Sequence, residues 1–544
     1  MAKLSVFRFQ QHDTIGNPSA ESDKSFLLNC FVDTGALRII GDTGDPHSIA
    51  LGRTGTGKTA LLQVFANQEE RARQIDPHDI ALSYISNSTV LRFFEATGLS
   101  MDPFYRFLWR HLFVVEMLKM KFDLEHEGTK SNWWDEKLMR SLRRPSHRES
   151  FEYLRSWGTN FVKNTEEQIK DVTVRVEHDL KAGASLGISD VLNLGAEGVR
   201  TLSEEKRFDV HRRGQEVLNS IQVNKLASLF KALDEDILDD PKKRYYIILD
   251  KLDENWVEDE TRYRLIRALI EIMRDFNSKV TNAKIIIALR SDLFERVLRA
   301  TTDSGFQGEK YRGLCLPLIW DKSSMINLVD LRVNELVQRR WTTQPMSHAD
   351  ILRGTVTKHK EKPLDYMLDR TLMRPRDIIA FFNACMVFAA KESEIYPTTI
   401  VRTEPVYSEQ RLDSLADEWS ADYPLLREIC GLLKKRPISF PLSSITDDHL
   451  EELCLRLADR LSLPTTEDAQ CLDDFFRSRI GGAELRTALA RILYRVGAVG
   501  LKPESYSQIA WSFNGPPEFP AEQLSYDSKM YPHKMLWRAL GIVA

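Results

Sequence analysis

The sequence has six cysteines in 544 residues, and none is paired in C-x-x-C spacing. Cys30, Cys315, Cys385, Cys430, Cys454 and Cys471 are scattered, most of them in apolar runs. That argues against a zinc ribbon or a disulfide-stapled scaffold and predicts core thiols in a reducing cytosol. Long apolar runs are missing too. The longest, Ile378 to Ala390, contains Asn383 and is too short to span a bilayer. Met1 to Arg8 show neither a long apolar stretch nor an A-x-A cleavage site, so no signal peptide is expected. Neither sign of charge dominates. Lys and Arg total 75 against 79 Asp and Glu, a net charge of −4, which excludes a global nucleic-acid footprint and leaves room for a local basic surface. Internal repeats and low-complexity tails are absent. A soluble cytoplasmic chain of two to four domains with no membrane partner is the expectation.

Against these absences stands one octapeptide, Gly52-Arg53-Thr54-Gly55-Thr56-Gly57-Lys58-Thr59, which fits G-x-x-x-x-G-K-[ST] at every fixed position. Glycines let the backbone take positive φ and approach phosphate closely. Successive N–H groups from Gly52, Thr54, Gly55, Thr56, Gly57 and on to Ala60 then form an anion nest at a helix N-terminus. Lys58 neutralises β- and γ-phosphates, and the Thr59 hydroxyl ligates Mg²⁺. The apolar Ser48 to Leu51 before it reads as a strand and Ala60 to Ala66 after it as a helix, the order this loop needs.

The second half of such a site is an acid at the end of a buried strand. Tyr245 to Leu249 is that strand and Asp250 the acid, assigned to Mg²⁺. Lys251 stands where a catalytic Glu often follows. In Asp250-Lys251-Leu252-Asp253-Glu254, Glu254 is the first choice for activating water and Asp253 the second. Asp253 serves equally well as an N-cap for a helix beginning near Val257. A third strand, Lys284 to Leu289, ends in Arg290, in reach of the same crevice. A fourth, Gly313 to Trp320, holds Pro317 and belongs at an edge or a strand end.

Residues 1–46 precede the core, with a helix expected from Ser19 to about Val32. The core spans 47–330, with a further strand at Ile80 to Ile85 and an insertion over about 100–225. Within the insertion, Pro103 to Leu118 reads as an aromatic helix and Trp133-Trp134 lies in a polar stretch. A basic patch covers Arg140 to Arg148. The alternation of Val172 to Glu177 reads as a strand, and small residues in 182–196 suggest a protruding hairpin. Helices are expected at Ser323 to Arg339 and His348 to Leu368 in a lid over 331–400. Pro375 suits a helix first turn, with Arg374 or Arg376 facing phosphate or pairing with Asp377. Residues 393–407 read as a Pro/Thr-rich link. In 408–544, helices at Tyr423 to Leu433, His449 to Leu461 and Ala483 to Tyr494 precede strands at Gly497 to Leu501 and Gln508 to Phe513. Helix, strand, turn, strand suggests a winged helix, whose recognition helix offers only Arg486, Arg491 and Arg495.

Taken together, these motifs resemble a bacterial family of P-loop ATPases of the AAA+/STAND type, near its Orc-like and KAP-like branches. The likeness rests on Gly52 to Thr59, the D-x-x-D-E pattern from Asp250, Leu289-Arg290-Ser291-Asp292, Arg374 to Ile379, and Ala20-Glu21 before the core. It implies an α/β fold, a parallel-sheet P-loop NTPase core of AAA+/ASCE type with a long insertion, a helical lid and a C-terminal winged-helix-like domain. It implies ATP and Mg²⁺ as ligands, Arg290 as the residue that reads the γ-phosphate, Arg376 (or Arg374) as a second sensor, and the N-terminal segment against adenine. Relatives often lie in anti-phage defence loci beside effectors, which implies an oligomeric ATPase switch with a protein partner encoded nearby. A DNA-handling Orc-like ATPase for loading, repair or transposition, and a nucleotide-binding scaffold with little hydrolysis, are the alternatives. No arginine finger stands out; Arg296, Arg299 and Arg312 are the candidates.

Overall fold

The computed structural model describes residues 7–543 other than 78–87, 123–172, 175, 183–195, 201, 224–229, 231–232, 255, 257–258, 301–307, 340, 342–343, 357–359 and 462–465. The expected strand at 80–85, Trp133-Trp134 and the basic patch at 140–148 lie outside the described residues. The chain divides into two compact units. One comprises 33–53 and 58–319; the other 1–32, 54–57 and 320–544.

The first unit is built on a five-stranded parallel sheet. In chain order its strands are β1 (Ile49–Gly52), β2 (Ala72–Ile75), β3 (Tyr245–Leu249), β4 (Ala283–Arg290) and β5 (Cys315–Pro317). In space they run β2-β3-β4-β1-β5. Pairing is parallel throughout, with Ile49 opposite Ile287 and Leu249 also opposite Ile287. β3 is buried at every residue and β4 at all but its last. Such continuous apolar runs belong to parallel strands covered on both faces. β5 forms one edge, where the missing N–H of Pro317 interrupts no ladder. β2 was not legible in the sequence. Two of the four residues of its Ala72-Arg73-Gln74-Ile75 are polar, as suits the other edge of the sheet.

Helix α1 (Lys58–Gln68) follows β1. Helices α2 (Thr89–Ala96), α3 (Asp102–Phe122) and α4 (Glu204–Val223) come from the region between β2 and β3, α5 (Asp259–Lys279) precedes β4, and α6 (Ser291–Ala300) follows it. The aromatic face of α3 is buried against α5, where Trp109 Nε1 donates to Leu265 O (2.9 Å) and Arg106 pairs with Glu271 (2.6 Å). The alternation in 172–177 misled: 173–174 and 176–182 are helical. Val176 and Leu180, four apart, are both buried, and this helical period won over the apparent period of two. The proposed hairpin lies, over 183–195, outside the described residues; Ala196–Val199 directly after it is a helical turn.

In the second unit the helix expected over 19–32 is shorter, a 3₁₀ turn at Ala20–Ser22 and one α-turn at Lys24–Leu27. The buried Asp23 carboxylate, which could have capped it, is taken by Asn17 N (2.6 Å) and Arg332 Nη2 (2.6 Å). Gly16 has φ of 104°, and a Cβ there would lie 2.2 Å from Arg332 Nη1, so glycine is required. Helix α7 (Lys322–Gln338) is capped by Asp321, whose side chain accepts from Ser324 N. The predicted helix over 348–368 is instead two, His348–Ile351 and α8 (Pro363–Leu368), parted at Gly354, which has φ of 72°. Helix α9 (Pro375–Phe388) begins at its proline as expected. The Pro/Thr-rich link is largely the start of helix α10 (Pro397–Glu418). Pro397 occupies its first turn, where a missing N–H costs nothing, and Pro405 is accommodated inside. Beyond it, Leu426–Cys430 and the 3₁₀ turn Gly431–Leu433 stand where one longer helix was expected. Helices α11 (Asp447–Leu457), α12 (Glu467–Phe476) and α13 (Gly482–Val496) follow.

α13 stops at Gly497, in the left-handed region, and passes into a small antiparallel sheet. Its strands are β6 (Phe440–Pro441), β7 (Val499–Lys502) and β8 (Lys529–Pro532), ordered β6-β8-β7. The second wing strand proposed at 508–513 is reduced to a single bridge, Leu501 to Ala510, and β8 is the partner of β7 instead. Five of the six cysteines are buried, and all are free. Among the described residues no helix is long and apolar enough to cross a membrane.

Candidate functional site: the end of the parallel sheet

In the first unit the groups of interest gather at the C-terminal ends of β1, β3 and β4. Parallel strands put such ends at one edge of the sheet, where ligands of α/β folds bind. Because β4 lies between β1 and β3, Arg290 at its tip stands opposite Gly52 in register, one strand from Leu249 and the acid that follows it.

Lys58, the first residue of α1, folds back so that Nζ donates to Gly52 O (3.0 Å) and Arg53 O (3.1 Å). Burial pushes its ammonium below the usual lysine range, while Asp253 and Asp250 pull it back up. Asp250 is buried, and that burial raises its carboxyl above the ordinary range against the Thr59 hydroxyl, the Lys251 N–H and Lys58, which favour the charged form. Its Oδ1 accepts from Lys251 N (2.9 Å), whereas Oδ2 is buried with no hydrogen-bond partner.

After Asp250 the chain turns sharply. Lys251 has φ of 59°, an unusual value for a side chain with a Cβ, and its Nζ reaches Asp76 at 2.8 Å. Glu254 N donates to Lys251 O (3.1 Å), which closes the turn. The turn leaves Asp253 half-buried, with Oδ2 3.9 Å from Arg290 Nε, and Glu254 exposed. Sequence reasoning ranked Glu254 first; Asp253 is the one gathered with Arg290 and Lys58.

Arg290 itself is held by Asp292, Nε to Oδ1 at 3.0 Å and Nη2 to Oδ2 at 2.9 Å. Arg296 shares that carboxylate at 2.7 Å. Burial would raise the Asp292 carboxyl, but the two arginines outweigh it and hold it below the ordinary range. Arg312 pairs with Glu295 (2.7 Å), and Arg299 donates to Glu295 O (3.5 Å). Asp76 and Glu295 were not singled out in the sequence, where isolated acids give no signal, and Asp292 entered only as the last residue of the Leu289-Arg290-Ser291-Asp292 motif, without a role of its own.

The tip of the loop, 54–57, groups with the second unit, and each of its first three carbonyls accepts from a donor there. Thr54 O takes Arg374 Nη1 (3.0 Å), Gly55 O takes Arg376 N (3.4 Å) and Thr56 O takes Trp320 Nε1 (2.8 Å). Gly55 has φ of 80° and its missing Cβ would lie 2.7 Å from Arg376 Cβ, so both its conformation and its surroundings demand glycine. Gly57 also has positive φ, 94°. Arg374 is buried and paired with Asp377 (3.0 Å) and Glu418 (2.8 Å), the charge-pair alternative read from the sequence. Arg376 is depressed by burial and by the charge of Arg374, and among the described residues it makes no ion pair. The arginines proposed to read DNA are engaged inside their own unit. Arg486 pairs with Asp447 (2.5 Å), Arg491 donates to Phe519 O (2.9 Å), and Arg495 pairs with Glu467 (2.9 Å) and Glu518 (3.1 Å).

With that geometry in hand, comparison with known proteins adds two likenesses. The family model described as the FunZ-associated C-terminal helical domain matches residues 323–416, from the start of α7 to near the end of α10. The putative transposon gamma-delta 80.3 kDa protein of Escherichia coli (strain K12) is 23% identical over 540 residues, which cover 97% of this chain and 67% of that protein. No solved structure matches. The weak likeness to the transposon protein thus runs through both units, while the family match is confined to the second.

Proposed function

We propose that the chain is a Mg²⁺-dependent P-loop ATPase whose chemistry is carried by the end of the parallel sheet. The observation that carries this reading is the buried, unpartnered Oδ2 of Asp250, close to the Thr59 hydroxyl and to Lys58. A buried carboxylate oxygen left unsatisfied is costly, and a cation is the partner that removes the cost. Among the described residues no group of three or more His, Cys, Asp or Glu could hold a metal alone. One carboxylate and one hydroxyl suit Mg²⁺, which takes its other ligands from phosphate and water. When bound, it supplies neutralisation of charge on the transferring phosphoryl group.

Lys58 exchanges its two backbone carbonyls for β- and γ-phosphate oxygens. The N–H groups from Thr54 to Ala60 cradle the phosphates, with Gly55 and Gly57 allowing the close approach. Arg290 contacts the γ-phosphate. Asp253 is the better-situated base for the attacking water and Glu254 the next. Lys58→Ala should abolish binding of Mg·ATP in calorimetry; wild-type affinity in that variant would sink the proposal. Asp253→Asn and Glu254→Gln then identify the base. The true base variant keeps ATP affinity and loses about two orders of magnitude in turnover, and we expect it to be Asp253→Asn.

Beyond the ATPase, the motifs favour an AAA+/STAND-type switch that oligomerises and acts on a protein effector, with Arg376 as the arginine on the lid that responds to nucleotide. Its lack of an ion pair supports that choice over Arg374. A second reading, a DNA-handling ATPase of a mobile element, is favoured by the weak similarity to the transposon gamma-delta protein. The internal pairing of Arg486, Arg491 and Arg495 weighs against α13 as its DNA-contacting helix. Salt-dependent binding of duplex DNA, with turnover stimulated by it, would establish this second reading over the first.

A further inference from the structure

Arg290 and Asp292 are two residues apart, yet they form a bidentate pair, the strongest guanidinium–carboxylate geometry. Asp292 lies in the first turn of α6, and its side chain is 11% exposed. It serves two arginines at once, since Arg296, one helical turn further on, takes Oδ2 at 2.7 Å. Arg290 stands opposite Gly52, the first residue of the loop, and its charge acts on Lys58. The arrangement therefore permits an exchange. If Arg290 leaves for an incoming phosphate, Asp292 is still neutralised by Arg296, and no buried carboxylate is stranded. A carboxylate with one arginine could not release it at so small a cost.

We propose that Asp292 is a positioning residue that holds Arg290 while the site lacks a triphosphate and yields it to the terminal phosphate, with Arg296 as the counter-ion that makes the release affordable. The proposal rests on the ATPase reading above. It goes further by making the discrimination of ATP from ADP a property of the Arg290–Asp292–Arg296 trio. ADP lacks the group that draws Arg290 away, so only triphosphate binding senses how tightly Asp292 holds on.

The test is the ratio of dissociation constants for ADP and ATPγS, each with Mg²⁺, measured calorimetrically on the full chain. Asp292→Asn, which keeps size and removes the charge, should tighten ATPγS about tenfold relative to ADP. Arg296→Gln leaves Asp292 to Arg290 alone and should shift the ratio the other way. In an Arg290→Ala background neither substitution should move the ratio, a cycle that isolates the coupling. Equal weakening of both nucleotides by Asp292→Asn, or an unchanged ratio, overturns the exchange and leaves Asp292 a structural pair. Should Asp292→Asn fail to fold, Arg296→Gln decides alone, by weakening ATPγS relative to ADP or not. Absence of any nucleotide binding by the wild-type chain would instead refute the ATPase reading itself, so the two failures are distinct.

Discussion

Two aspartates, one in each unit, are buried to a similar depth and treated in opposite ways. Asp250, at the end of β3, is 5% exposed, has one oxygen without a partner, and is raised by burial. Asp377, in the first turn of α9, is fully buried and equally exposed to the cost of desolvation, yet its carboxyl is lowered to about 2 because Arg374, Arg411 and the Leu372 N–H all favour the charge. In the helical unit, buried Asp23, Arg332, Arg370, Arg374 and Asp377 each have an opposite charge from the same unit against them. Arg370 lies against Glu404 at 2.6 Å, and Tyr366 and Arg538 share that carboxylate. At the end of the sheet the chain stops short of doing so. Buried charge that the fold satisfies is architecture; buried charge that it leaves unsatisfied awaits something from solution.

The comparison breaks most visibly if Asp377→Asn is harmless. Losing this carboxylate strands Arg411 and half-strands Arg374, and removal of one partner from a buried pair costs about 3–5 kcal/mol. Hydrogen exchange of the α9 and α10 amides should rise accordingly. The pH dependence has a definite sign. A depressed carboxyl contributes stability above its ordinary value of 3.8 and loses it as pH falls through about 2. The gap between wild type and Asp377→Asn should therefore be complete at neutral pH and close over that acidic window.

Asp250→Asn should do the reverse. Without Mg²⁺ it relieves an unfavourable buried charge, so hydrogen exchange in β3 should be unchanged or slower. With Mg·ATP, turnover should fall by two or more orders of magnitude, about 2.7 kcal/mol of transition-state stabilisation. A variant that is both destabilised and still active would erase the distinction between the two aspartates.

A smaller effect is expected at Trp320. Its Nε1 bond to Thr56 O is a neutral hydrogen bond within the second unit, worth about 1 kcal/mol. Trp320→Phe should weaken nucleotide binding about fivefold through a looser loop tip, while the hydrogen exchange of α9 stays as in the wild type.

How legible all this was in the sequence follows the same division. The loop, β3 with Asp250 and β4 with Arg290 were readable because a tight strand-to-helix turn and a buried parallel sheet each impose a local pattern, glycines at positive φ in one case and unbroken apolar runs in the other. The helical unit was read less well because its order is set by long-range pairs. Asp23 is drawn off by Arg332 more than 300 positions away, which cuts short a helix its own segment would extend. Pro397 and Pro405 read as a link because composition alone does not show that α9 and α10 pack on each other, Phe381 stacking on Tyr407 with ring centroids 4.1 Å apart. The arginine alternatives at 374 and 376 could not be separated by spacing. Glu418, at the far end of α10, pairs with Arg374, a contact that spacing along the chain does not show.

Lys284 tests the boundary between the two kinds of burial. It lies inside β4, fully buried, and donates to Asp42 O (2.7 Å) and Ile39 O (3.2 Å), carbonyls at the end of the short helix Ala36–Gly41. Carbonyl dipoles satisfy its donors but do not cancel its charge, with Asp45 and Asp42 helping only through space. Burial therefore pushes its ammonium down to about 8 from 10.5. Between those values the unfolded chain keeps a proton that the native chain has given up, so stability rises with pH across the window and is lost as pH falls through about 8. Lys284→Met should flatten that rise in denaturation measured from pH 7 to 11. A rise that persists in the variant would mean that the two carbonyls hold the charge as fully as Arg374 and Arg411 hold Asp377, and the sheet unit would then be no less self-sufficient than the helical one.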